Sequence, residues 1–262
     1  NDLEFRDQVN LSAINSINWA RLMPQVVYYF AAALRLGAPA KKVAFSVPTG
    51  NFGNVLAGWA AWKCGLPVDR LIIGTNSNDI LYRFFETGEM RIADVEETLS
   101  PSMDIQVSSN FERLLFYMLD EDGAAVREWL SKFRKTGTMS LDDTRLTKAR
   151  DHFDAARLDD KGTRRVIQET LERTGELIDP HSAIAVDAAR QCRGDIAVPV
   201  VSLATAHPAK FPDAVEAATE VRPHLPPRLA DLFERTERFA TLANDANSLQ
   251  DFIRRTSRLK SR

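Results

Sequence analysis

The sequence predicts an α/β fold, a parallel sheet with helices on both faces, and three observations carry that expectation. Val43 to Val47 and Leu71 to Gly74 are short apolar runs of the kind that form buried strands. Between them, Val55 to Cys64 places apolar residues at helical spacing and is stopped by Gly65-Leu66-Pro67. A strand, helix, strand order over so short a span is most simply a right-handed crossover between parallel strands, and a parallel sheet needs helices on both faces.

The other elements follow in order. Asn15-Ser16-Ile17-Asn18-Trp19-Ala20-Arg21 gathers amide, hydroxyl and guanidinium groups ahead of an apolar helix containing Gln25 to Leu36. Phe111 to Leu119, Ala124 to Phe133, Leu146 to Ala156 and Arg164 to Arg173 read as amphipathic helices with no strand among them, a helical insertion or cap. A helix over Ser182 to Gln191 opens at Asp179-Pro180-His181-Ser182. Val198 to Ala204 is a further strand for the same sheet, ended by Thr205-Ala206-His207-Pro208. Beyond Pro223, Pro226 and Pro227, helices are expected at Leu229 to Leu242 and Ser248 to Arg258. The organisation predicted is a cofactor-domain core over 1–110, a helical insertion over 111–178, a return to the sheet over 179–212 and carboxyl-terminal helices over 213–262.

Composition narrows the function classes. The 262 residues carry 34 Lys+Arg against 36 Asp+Glu, so no basic field argues for nucleic acid. The two cysteines, Cys64 and Cys192, stand far apart and outside any metal-ligand spacing, which argues against a disulfide framework or zinc and fits a reducing cytoplasm. No apolar run approaches the roughly 20 residues that span a bilayer. The basic tail from Arg254 to Arg262 reads as a solvated helix end, because cations there complement the helix dipole.

Chemistry concentrates at strand ends. Ser46 to Asn54 lies between the carboxyl end of a predicted strand and the amino end of a predicted helix, the edge where open α/β sheets bind ligands. Gly50 and Gly53 would let the backbone take left-handed angles and turn its N–H groups toward a phosphate. The segment has neither a Walker lysine nor a GxGxxG pattern, so the guest is a monophosphate held by backbone; the alternative is a plain glycine-rich turn. Thr205 could pair with a heterocyclic nitrogen, with His207 and Lys210 either near the ligand or merely solvated. Arg21 could clamp an anion, or Asn15 or Ser16 could simply cap the helix. Thr75 to Asp79 could line the same crevice, or form an Asx-turn and cap.

Six blocks, in this order, closely resemble the threonine synthase family: Asn15 to Arg21, Val47 to Asn54, Thr75 to Phe84, Ser109 to Arg113, Asp179 to Ala183 and Ala204 to Phe211. The resemblance implies a fold-type II pyridoxal-phosphate enzyme, a lyase of threonine biosynthesis. Its reaction turns O-phospho-L-homoserine and water into L-threonine and phosphate. It assigns Gly50, Asn51, Phe52, Gly53 and Asn54 to the cofactor phosphate and Thr205 to the pyridine nitrogen. Asn15, Ser16, Asn18 and Arg21 fall to the substrate wall. It implies no metal, nucleic acid or membrane, a small-molecule substrate, and a monomer or homodimer in the cytoplasm. The family's Schiff-base lysine lies upstream and is followed by Asp, a context that none of the nine lysines here has. The sequence therefore reads as a carboxyl-terminal part, inactive alone and lacking the catalytic lysine. The alternative is a non-catalytic module that keeps a phosphate or pyridoxal-phosphate pocket.

Overall fold

A computed structural model describes residues 2–257. In chain order the elements are α1 (Leu3–Gln8), α2 (Trp19–Arg35), β1 (Val43–Pro48), α3 (Gly53–Lys63), β2 (Val68–Thr75), α4 (Ile80–Thr87), β3 (Glu89–Arg91), α5 (Phe111–Met118), α6 (Gly123–Thr136), β4 (Thr138–Ser140), α7 (Asp143–Arg150), β5 (Phe153–Arg157), α8 (Asp160–Thr174), α9 (Pro180–Gln191), β6 (Val200–Ser202), α10 (Pro212–Thr219) and α11 (Ala246–Thr256). They fall into two compact units, one of Ser16–His224 and one of Asn1–Asn15 with Leu225–Arg262.

The larger unit holds a four-stranded sheet in the order β5-β2-β1-β6, all parallel, with helices against it, and so has the expected α/β class. β1 is buried along its whole length because it is central and covered on both faces. The pleat divides its side chains. Val43, Phe45 and Val47 join the main apolar core, where the Tyr29 ring of α2 lies 4.8 Å from that of Phe45. Ser46 faces the other way and donates its hydroxyl to the Ala185 carbonyl of α9 at 2.6 Å. Next to it Ile72 of β2 packs with Ala188 of α9, while Leu71 and Ile73 join the main core. β3 and β4 form a small antiparallel ribbon apart from this sheet.

Two expected elements are corrected. Leu146 to Ala156 is not one helix: α7 ends at Arg150, and Phe153–Arg157 becomes strand β5 on the free edge of β2. No residue of Phe-Asp-Ala-Ala-Arg is β-branched, so local preference gave no strand signal. Ladder pairing and burial of Phe153 against Trp59 and Phe85, each at 5.5 Å, decide it instead. Leu229 to Leu242 is not a helix either. It has only short 3-10 turns at Pro227–Leu229 and Leu232–Glu234. Phe233 and Phe239 stay largely exposed, so the apolar burial that would stabilise a helix is missing.

In the smaller unit α1 and α11 meet: Arg254 lies 5.1 Å over the Phe5 ring and donates to Gln8 at 3.0 Å, and Gln250 donates to Asp2. Arg258 to Arg262, the end of the basic tail, lie outside the described residues. Among the described residues no helix is long and apolar enough to cross a membrane.

The cysteines differ in environment. Cys64 is exposed, whereas burial pushes the Cys192 thiol up to about 11. At pH 8, iodoacetamide should alkylate Cys64 well before Cys192, read by peptide mass spectrometry. Equal rates would contradict the partly buried setting of Cys192.

Candidate active site

The carboxyl edge of the sheet brings together the segments that follow β1 and β6. β1 pairs with β6 so that Ser46 lies beside Ser202, and the Leu203 N–H donates to the Ser46 carbonyl at 2.9 Å. Thr49 and Thr205, each three residues further on, therefore emerge at the same edge, and Thr205 is exposed there.

The glycine loop turns for a different reason than its sequence suggests. Neither Gly50 nor Gly53 is among the glycines with positive φ; the left-handed residue is Phe52, at φ 61°. A Cβ on Gly50 would sit 2.8 Å from the Ser102 carbonyl oxygen and 3.2 Å from the Met103 Cα, so Gly50 is required by close approach of the 3-10 turn Pro101–Met103. Gly53 is the first residue of α3, where a Cβ would meet only ordinary contacts. Phe52 precedes α3 with no side-chain cap, so the first-turn N–H groups are left facing outward with the positive end of the helix dipole. A helix start of this kind can accept an anion.

Other segments hold the loop in this shape. Ser108 donates to the Gly50 carbonyl at 2.8 Å, and Ser109 to the Asn51 side-chain oxygen at 3.0 Å. The Asn110 amide spans two segments, donating to the Asn51 carbonyl at 3.0 Å and the Ser16 carbonyl at 3.1 Å. Arg113 donates to Asn110 at 2.8 Å and to the Ile17 carbonyl at 2.7 Å. The Tyr29 hydroxyl donates to the Asn54 backbone carbonyl at 2.7 Å, with the Asn54 side-chain oxygen 3.0 Å away. Burial raises the Tyr29 phenol above its ordinary pKa, and it stays a neutral donor.

The other candidates separate. Asn18, rather than Asn15 or Ser16, caps α2, its side chain accepting from Ala20 N–H at 2.9 Å. Ser16 is half-buried, with its hydroxyl 3.4 Å from that of Ser109. Arg21 is exposed, and Asn15 falls in the smaller unit. Asn76 makes an Asx-turn to the Asn78 N–H at 2.9 Å, and Asp79 accepts from Arg83 at 2.7 Å and Arg157 at 2.6 Å rather than capping α4. His207 accepts from the Ala209 N–H, and Lys210 lies over the Phe211 ring. Ser108 and Ser109, which lock the loop, carried no signal of that role beyond small polar residues ahead of a helix.

A further cluster stands at the start of α9, which runs back toward β6 through the loop 192–199. Asp179 is fully buried; it caps α9 and accepts from His181 Nδ1 at 2.9 Å and from the Ser182 hydroxyl. Burial pushes the Asp179 carboxyl up, but hydrogen bonds from His181 and Ser182 outweigh it and hold it below the ordinary carboxylate value. The His181 ring lies 4.8 Å from that of Phe211, tilted by 46°, which links the segments around 181 and 205–211. His181 Nδ1 faces the Asp179 carboxylate, and its Nε2 is buried with no partner among the described residues.

A cavity of about 690 Å³ lies elsewhere, against Leu56, Trp59 and Lys63 of α3, and is not lined by the glycine loop. Among the described residues no group of three or more His, Cys, Asp or Glu could hold a metal ion.

Known proteins resemble the chain throughout. A family model described as "Threonine synthase, C-terminal" matches residues 182–253. The threonine synthase of Pseudomonas aeruginosa is 53% identical over 253 residues, covering 96% of this chain and 54% of that protein. That of Corynebacterium glutamicum is 42% identical over 259 residues, with the same coverage of 96% and 54%. The crystal structure of a pyridoxal-phosphate-bound threonine synthase from Brucella melitensis superposes with a TM-score of 0.96 at 51% identity, covering 99% of this chain and 56% of that one. The chain thus spans about half the length of the relatives it matches. In sequence and in fold, it belongs to the carboxyl-terminal part of the threonine synthase family.

Proposed function

We propose that this chain is the part of a threonine synthase that holds the cofactor phosphate, in an enzyme converting O-phospho-L-homoserine and water to L-threonine and phosphate. The observation that carries the reading is the uncapped start of α3 behind the closed Gly50 loop, at the same sheet edge as Thr205. These residues fit pyridoxal 5'-phosphate. The loop offers backbone donors to a phosphate dianion, and an exposed hydroxyl lies at the same edge for a ring nitrogen. When bound, that cofactor supplies an electron sink for charge developing on substrate carbons.

Each residue then has a task. The N–H groups of Gly53 and Asn54 bind the phosphate, with Gly50 and Asn51 shaping the turn and Phe52 anchoring it in the core. Thr205 donates its hydroxyl to the pyridine nitrogen and, being neutral, leaves it unprotonated. Ser16 forms part of the substrate wall. Asn18 and Arg21 complete that wall within the larger unit, with Arg21 offering a bidentate fork to an anionic substrate group. The base that moves protons between substrate carbons is a lysine outside these 262 residues, so the chain is inactive by itself. The enzyme acts in the cytoplasm, as a monomer or homodimer, on a small-molecule substrate.

The natural polypeptide carrying this chain should release threonine and phosphate in equal amounts from O-phospho-L-homoserine, dependent on pyridoxal phosphate. After borohydride reduction its mass should rise by one phosphopyridoxyl group, on a lysine other than those between Lys41 and Lys260. No adduct and no turnover, with pyridoxal phosphate still bound, would favour a binding module instead.

A further inference from the structure

We infer that Asp104 is a positioning residue for the cofactor phosphate, acting through the turn that encloses Gly50; the inference rests on the phosphate reading of that loop. Asp104 directly follows Pro101–Met103, the turn whose Ser102 carbonyl would lie 2.8 Å from a Cβ on Gly50. Its carboxylate gathers four donors. Oδ1 accepts from the Asn76 amide at 2.7 Å, the Thr98 hydroxyl at 2.7 Å and the Asn78 amide at 3.0 Å, and Oδ2 accepts from the Thr98 N–H at 2.9 Å.

Those partners place Asp104 at the catalytic edge. Asn76 and Asn78 are buried just beyond β2, the strand beside β1, so they share a rigid base with the glycine loop. Asn78 also brackets Glu96, accepting from its N–H at 2.9 Å and donating to its carbonyl at 2.8 Å. The segment 96–110 is therefore pinned at one end to β2 through Asp104. At the other end Ser108, Ser109 and Asn110 pin it to Gly50 and Asn51.

The chemistry explains a carboxylate here. A negative charge near a phosphate site is unfavourable in itself, and only a group with acceptor capacity on both oxygens can take all four donors. An asparagine would turn its NH2 group against the Thr98 N–H or against the cluster of amide donors. Loss of Asp104 frees the 101–103 turn, and Gly50 to Asn54 then no longer present their N–H groups in one fixed arrangement. The effect is confined to the phosphate end. Asp104 touches neither Thr205 nor His181 in the contacts described.

The test compares ligands with and without a phosphate on the natural polypeptide. Asp104→Asn should weaken pyridoxal phosphate about 10-fold or more and weaken inorganic phosphate as a competitor of its uptake, while leaving pyridoxal, which lacks the phosphate, within about 2-fold; tenfold corresponds to about 1.4 kcal/mol, the scale of one charge-assisted hydrogen bond. The 31P resonance of bound pyridoxal phosphate should shift and broaden. Thr98→Val, which removes one donor and keeps the carboxylate, should show the same pattern more weakly, and decides the matter if Asp104→Asn does not fold. Equal weakening of both ligands, or an unchanged 31P resonance and affinity, would overturn the inference. Failure of the unaltered polypeptide to bind pyridoxal phosphate would instead overturn the cofactor reading beneath it.

Discussion

Phe52→Ala is expected to destabilise the protein by about 3–5 kcal/mol, the range for truncating a buried aromatic side chain. Phe52 is 1% exposed, meets Phe111 edge-on at 5.6 Å and lies 6.2 Å from Phe153. It does so from a left-handed backbone, at φ 61°, that costs an L-residue roughly 1–2 kcal/mol. Alanine keeps that strain and loses the burial. Phe52→Gly should therefore recover about 1 kcal/mol of the loss, because glycine adopts the same φ freely. Urea unfolding of the natural polypeptide measures both. If the alanine variant lies within about 1 kcal/mol of the parent, the aromatic cluster does not anchor the loop.

Asp179→Ala should cost about 3 kcal/mol or more, from a different source. The carboxylate caps α9 through the His181 and Ser182 N–H groups and takes His181 Nδ1 and the Ser182 hydroxyl as well. A lost cap is worth about 1 kcal/mol, and each buried donor left without a partner adds about 1–3 kcal/mol. The sign of the pH dependence follows. Asp179 keeps its charge in the fold below the ordinary value of 3.8, while the unfolded chain takes up the proton there. Its contribution is complete above pH 3.8 and is lost as the pH falls through the lower folded value. The stability gap between parent and variant should thus close in acid. A gap that persists unchanged at low pH would show that the carboxylate's charge contributes nothing.

What could be read from the sequence was what local pattern encodes. β1, α3 and β2 were legible because their strand runs are continuous and apolar and the helix is bounded by glycine and proline. The loop's place at the sheet edge followed from that order. Its mechanism did not follow: Gly50 is dictated by a turn some fifty residues away, and the left-handed position is held by a phenylalanine that composition would never suggest. β5 was hidden because Phe153 to Arg157 has no strand preference and gains its identity from the edge of β2. The segment 96–110 was hidden for the same reason, since its order depends on asparagines 76 and 78 and on the loop it encloses. Thr205 was legible as a hydroxyl at a strand end. Asp104 was one acidic residue among many.

The register of β1 with β6 has a consequence for biosynthesis. Ala44 of β1 finds its second neighbour only at Val200, roughly 150 residues later, or about 10–30 s of translation at ordinary elongation rates. Through that interval the most apolar strand of the sheet has one open edge on the ribosome, and three residues of β6 finally close it. A nascent chain of this protein is thus open to wrong pairing, and to capture by chaperones, throughout that interval.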